Sequence, residues 1–389
     1  MNSIRSFAAG VLLASLAACA GTPDIPAAGE AETAGAKTPP AAEPAPAAAR
    51  PATPAPSLRD RRLRLALVGD MMIGTDYPEN RLPEDPAGYL GHVAPVLSRA
   101  DLAVGNLEGV LADGGEAAKQ CSNPRACYLF RSPAAYAEHY RNAGFDLLSL
   151  ANNHARDFGE EGRSSSMAAL DAVGIRHSGR EGEFASFEHD GLRIAFLAYA
   201  VTRNSNLLHD YERAELTVRM FAADHDIVIV SFHGGAEGPG ASRLPFAEEE
   251  YYGEPRGDVV RFARAIVAAG ADLVVGHGPH VIRAAERYEG RLIAYSLGNF
   301  ATHWGISIKG NNGIAPILEV TLDGEGRFLA GNVVSTVQTR PHGPAIDPLQ
   351  RSLIMLRELS RLDFGDPGLV FHDDGRIQAV PRKTLKKHP

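Results

Sequence analysis

The chain is 389 residues long and carries 39 lysines and arginines against 47 aspartates and glutamates, a formal net charge of −8. An acidic surplus of this size excludes the basic surface that nonspecific nucleic-acid binding requires. Beyond the N-terminal leader no stretch is long and apolar enough to cross a membrane as a helix.

In chain order, Arg5 and the apolar run from Phe7 to Ala18 have the pattern of a signal peptide, residues 1–18. The run ends in Leu16-Ala17-Ala18-Cys19, which resembles the lipobox of bacterial lipoproteins and implies cleavage before Cys19 and its acylation. An ordinary secretory signal is the alternative. Ala20, where an Asp would resemble an inner-membrane retention signal, favours the periplasmic side of the outer membrane. Residues 19–57 are nearly all Ala, Pro, Gly, Thr and Glu, with too little bulky apolar surface to offset ordering entropy. They read as an extended tether that holds a domain off a lipid surface. With Cys19 lipidated, Cys121 and Cys127 remain as an even pair in an oxidising compartment. A disulfide across the turn-prone Ser122–Ala126 stretch is the preferred reading, and two free thiols the alternative.

From residue 58 to 365 apolar runs recur, and each ends in polar residues. Arg61–Gly69 meets Asp70, and Asp101–Gly105 leads to Asn106-Leu107-Glu108. Phe145–Leu150 leads to Asn152-Asn153-His154, and Asp226–Ser231 to His233. Ala271–Gly276 leads to His277-Gly278-Pro279-His280, and Arg291–Leu297 to Gly298-Asn299. Helical spacing fills Ala134–Ala143, Gly162–Val173 and Arg256–Ala269, the last with Val259, Phe262, Ile266 and Val267 on one face. Gly144, Gly174 and Gly270 follow as C-caps. Asp190-Gly191 predicts a hairpin turn, and Ile314–Gln338 further strands. Residues 366–389 read as a C-terminal extension. Alternating βα units with nearly continuous apolar strands argue for a largely parallel, buried sheet.

Ligands in open α/β sheets collect beyond the carboxyl ends of the strands, where each polar cluster sits. Taken singly, most of these clusters are as well explained by turns or caps. Together they supply carboxylate, amide and imidazole, a donor set for Mn, Fe or Zn, with no thiolate to demand a softer ion.

The ordered series Gly69-Asp70, Gly105-Asn106-Leu107-Glu108, Asn152-Asn153-His154, His233, Gly276-His277-x-Pro279-His280 and Tyr295–Phe300 resembles the poly-γ-glutamate capsule synthesis (CapA) family. That family is a relative of the calcineurin-like metallophosphoesterases, and the likeness runs from about Arg64 to about Leu359. It implies a four-layer α/β/β/α sandwich with mixed central sheets. It also implies one or two divalent ions held by Asp70, Asn106, Glu108, Asn153, His233, His277 and His280, with His154 as general acid beside the leaving group. An anionic cleft ligand is expected to meet Arg131 or Arg203, with Asn152 and Asn299 beside it. Two positions depart from the parent pattern: Met72 stands where His or Asp is usual, and Asn106 where Asp is usual. Asp76 or Glu108 is available to compensate.

Three functions compete. One is a metal-dependent hydrolase of the envelope acting on a phosphoester or on an anionic polymer. The second is a non-catalytic component that works with capsule synthesis or export partners, and the third a pure anion-binding protein. Abundant strand-end polar groups favour the first over the third.

Overall fold

The computed structural model describes residues 57–120 and 127–380. The signal peptide, Cys19, all of the tether before Ser57, and Cys121 lie outside the described residues. Cys127 is described and is disulfide-bonded.

The chain enters through β1 (Arg62–Met72) and passes α1 (Ala94–Leu97) to β2 (Leu102–Leu107). A short pair follows, β3 (Val110–Leu111) and β4 (Arg131–Ser132), then α2 (Tyr136–Ala143), β5 (Leu147–Ser149), α3 (Gly159–Ala172) and β6 (Arg176–Ser178). The hairpin β7 (Ala185–His189) and β8 (Leu192–Ala200) precedes α4 (Tyr211–Asp224) and β9 (Ile227–His233). A ribbon, β10 (Glu249–Tyr251) and β11 (Glu254–Gly257), then leads to α5 (Val259–Ala269) and β12 (Leu273–His277). After β13 (Ala285–Tyr288), β14 (Arg291–Ala294) and β15 (Asn299–Thr302) come the long β16 (Ile314–Asp323) and β17 (Phe328–Thr339). The described chain closes with β18 (Gly343–Ile346), α6 (Arg351–Phe364), β19 (Leu369–Phe371) and β20 (Arg376–Ala379).

Two mixed sheets carry the fold. The larger runs β19-β20-β17-β16-β1-β2-β5-β6, with β15 also on β1 and β18 on β17; the smaller runs β13-β14-β12-β9-β8-β7. The strands β1, β2, β5 and β6 are parallel, and so are β8, β9, β12 and β14. Alternation along β1 explains the layers. Leu63, Leu65 and Leu67, with Leu102 and Val104, share a core with Ile194, Phe196 and Ile229 of the smaller sheet. Ala66 and Val68, with Ala103, pack instead among Leu97, Tyr140 and Leu170 of the helical side. On the smaller sheet, α5 buries Val259, Phe262, Ile266 and Val267, the face its spacing predicts. The architecture is the four-layer α/β/β/α sandwich.

Local chemistry agrees. Gly144 and Gly270 cap α2 and α5 at φ of 104° and 119°, and Asp258 caps the start of α5 by accepting from the Arg261 amide. Asp190 and Gly191 take φ of 46° and 72°, the mirror-image turn that suits a two-residue hairpin. Residues 366–380, read from sequence as an extension, add β19 and β20 to the edge of the larger sheet. One boundary differs usefully: β1 continues past Gly69 to Met72, because Asp70 pairs with Asn106 on one side and Asn299 on the other.

Candidate metal centre

Both sheets end at one rim. Asp70 lies near the end of β1, with Asn106 on β2 and Asn299 on β15 as its neighbours in register. On the smaller sheet His233 and His277 are the last residues of β9 and β12 and stand directly opposite each other. Close backbone approach makes this meeting possible. A Cβ on Gly69 would lie 1.9 Å from the Gly298 oxygen, and one on Gly276 would lie 2.2 Å from the Tyr295 oxygen. The turn after β12 then puts His280 at φ 57°, a left-handed conformation rare for a residue with a side chain. Backbone strain of this kind costs about 1–3 kcal/mol and collects at functional sites.

The side chains converge. Asp70 Oδ2 is 3.1 Å from His280 Nδ1, and Asp70 Oδ1 is 3.4 Å from His277 Nδ1. Glu108 Oε1 lies 3.5 Å from both His233 Nε2 and His280 Nε2. Asp70, Glu108 and His233 are fully buried and offer atoms within 4.8 Å of one another. Both oxygens of Glu108, both ring nitrogens of His233 and of His277, and Oδ1 of Asn153 are buried without a hydrogen bond. An orphaned buried polar atom costs about 1–3 kcal/mol, so this many in one spot fit a bound cation as their partner.

Electrostatics agree with that fit. Burial pushes the Glu108 carboxyl up to about 7, with the Asp70 and Glu237 charges adding to it and His280 opposing. Burial works the same way on Asp70, but the close imidazoles of His277 and His280 and their charge hold it well below the usual carboxylate range. Burial, joined by the Arg256 charge, drops His233 to about 3, so its imidazole is neutral and able to ligate. Burial also disfavours charge on His280, yet Glu108, Asp70 and Glu237 raise it to about 10. The field that holds a proton on His280 is one that attracts a divalent cation.

Of the remaining sequence candidates, some lie around this core and others do not. Asn106 donates to Asp70 Oδ1 at 2.9 Å and accepts from Asn152 at 3.0 Å, so it braces Asp70 with its nitrogen while its oxygen is occupied. Asn152 also accepts from the His154 amide at 3.0 Å. His154 packs on the Phe130 ring, 4.4 Å between centroids. Asn299 donates to the Ser307 and Asn312 carbonyls and leaves Oδ1 buried without a hydrogen bond. Arg131 pairs with Asp76 at 2.7 Å, which engages both the expected anion contact and one of the two compensating carboxylates. Arg203 is exposed on the turn after β8.

Four participants escape sequence reasoning. Asp157 Oδ2 is 2.8 Å from His154 Nδ1 and also accepts from the Phe130 amide. Lys119 Nζ lies 3.2 Å from both His154 Nδ1 and Asp157 Oδ1. Glu237 stands 3.8 Å from His280 Nε2, and Arg256, 1% exposed, pairs with Glu237 at 2.9 Å. The spacing of Asp157 three residues past His154 is the one signal that sequence held for any of them.

Comparison with known proteins follows the same residues. Capsule biosynthesis protein CapA of Bacillus anthracis is 30% identical over 273 residues, 63% of this chain and 61% of that protein. The chain therefore spans about three fifths of that relative. PGA biosynthesis protein CapA of Bacillus subtilis (strain 168) is 26% identical over 339 residues, 78% of this chain and 79% of that one. Among solved structures, a hypothetical protein from Thermus thermophilus superposes with a TM-score of 0.42 at 18% identity, covering 70% of this chain and 98% of that one. The profile of the family described as bacterial capsule synthesis protein PGA_cap matches residues 64–303, more than half of the chain and every strand end that builds the centre. The chain belongs to that family.

Proposed function

We propose that this chain is a CapA-type protein of the cell envelope that uses a divalent cation at the strand ends to hydrolyse an anionic capsule polymer of the poly-γ-glutamate type, or a phosphoester formed during its synthesis. The observation that carries the reading is the set of buried, unpartnered donors on Glu108, His233 and His277. Asp70, Glu108, Asn153, His233, His277 and His280 would hold the cation, and Asn106 and Asn152 brace them. The ion supplies Lewis-acid polarisation of a carbonyl or phosphoryl oxygen. His154, held at Nδ1 by Asp157, turns Nε2 toward a leaving group and hands it a proton. Phe130 covers its ring. In the same proposal Cys19 carries lipid, and residues 19–57 hold the domain off the periplasmic face of the outer membrane.

The test is elemental analysis of the purified full-length chain, followed by a screen of γ-glutamyl peptides and phosphoesters on Mn- or Zn-loaded protein with a chelator control. Bound metal and chelator-sensitive turnover are expected. A chain that takes up no metal after loading overturns the reading. Metal without turnover favours a second one, a cation-dependent component of polymer assembly. Met72, where His or Asp is usual, and Asn106, where Asp is usual, are the observation behind that alternative.

A further inference from the structure

Glu237 follows His233 by four residues, on the loop that leaves β9. That loop is held on several sides. Gly238 donates to the Pro279 carbonyl at 2.9 Å, which ties it to the turn carrying His280. Gly235 donates to the Arg256 carbonyl at 2.7 Å, and Arg256 Nε donates back to the Gly235 oxygen at 2.9 Å. Arg283, fully buried, donates to the Ala236 and Ala241 carbonyls and to both oxygens of Glu249.

Two buried arginines thus face two glutamates, and the pairs differ in one respect. A guanidinium taken out of water needs a carboxylate against it. Glu249 gives both oxygens to Arg283, at 2.8 and 2.6 Å. Glu237 gives only Oε1 to Arg256, at 2.9 Å. Its Oε2 is turned to the centre, 3.8 Å from His280 Nε2, the nitrogen that lies 3.5 Å from the unpartnered oxygen of Glu108. The Arg256 pair therefore fixes the glutamate's aim and leaves an oxygen free to bind. With Asp70 and Glu108, Glu237 is a third carboxylate beside His280 at this rim.

We propose that Glu237 is a further ligand of the cation bound at this centre, reaching it from the smaller sheet's side with the oxygen that Arg256 leaves open. The proposal rests on the reading that the centre binds a divalent cation.

The experiment titrates Mn(II) and Co(II) into the full-length chain and into Glu237→Gln, following Mn affinity by calorimetry and the visible absorption of bound Co. Gln keeps the shape and an oxygen for Arg256, and removes only the anionic donor. Mn affinity is expected to fall at least about tenfold, the lower end of the loss seen even for residues one step removed from a metal. The Co absorption should move as well, which the loss of a merely supporting side chain would not cause. Should E237Q fail to fold, Glu237→Asp keeps the charge and withdraws the oxygen by one methylene; weaker binding with a moved Co band then supports the proposal. Wild-type affinity and an unmoved band in either folded variant overturn it, while leaving the cation centre intact. A wild-type chain that binds neither ion overturns the centre itself.

Discussion

Gly276 occupies a place with no room for a methyl group. A Cβ there would meet the Tyr295 oxygen at 2.2 Å and the Phe232 ring at 2.4 Å, one of them backbone and both buried. Overpacking of this kind costs about 1–3 kcal/mol, toward the upper end when backbone must move. Gly276→Ala is expected to lower the urea midpoint by that equivalent and to weaken Mn binding together with it, because His277 is the next residue. An unchanged midpoint would show that β12 and β14 tolerate a wider spacing than the structure has. At this scale the sequence was most informative where chemistry was dense: Asp70, Glu108, His233, His277 and His280 are brought together, and all were legible as strand-end polar residues. Glu237 and Asp157 were not, since an isolated acid in a loop is ordinary until its neighbours in space are known. Asp76 shows the converse: it was near in sequence and is engaged by Arg131.

The elements that carry ligands belong to different sheets. Asp70 comes from β1, with Glu108 just past β2, while His233 and His277 close β9 and β12. A cation held by all four joins two layers whose shared core is apolar. Mn at a hundredfold excess over its Kd is expected to add about 2.7 kcal/mol to unfolding. In a thermal melt that appears as a rise of several degrees, at about 2–4 °C per kcal/mol for domains approaching this size. Chelator should reverse the rise, and Asp70→Asn should lack it; equal shifts in wild type and D70N would place the effect elsewhere on the surface. The long parallel strands and α5 were legible because a continuous apolar run or a clean 3.6-residue stripe fits little else than a buried strand or a helix with one face on the core. The ribbon β10 and β11 was not. Its Glu249-Glu250-Tyr251 run lacks an apolar face, and it forms where Arg283 and Arg256 tie it to the loop after β9. β19 and β20 were missed for a related reason: strands of three and four residues at a sheet edge carry too little pattern to see.

For the whole molecule, the βα rhythm made a buried, largely parallel sheet legible and the four layers came from the family resemblance, while the pairing of β15 with β1 needed three dimensions. Among the described residues no helix is long and apolar enough to cross a membrane. In the proposed function attachment falls to Cys19, and Cys19→Ala is expected to move the chain from the membrane fraction to the soluble periplasmic fraction of fractionated cells. Retention of C19A in the membrane pellet would assign attachment to another feature.

Asp70 and His280, 210 positions apart along the chain, touch at the heart of the rim. No contiguous fragment shorter than that separation can offer a divalent ion the full grip. In the proposed function uptake of metal is therefore a late event, open only to a chain that has already docked its two halves. Ion binding becomes a certificate of finished assembly, and whichever ions surround the protein at that moment compete for the site.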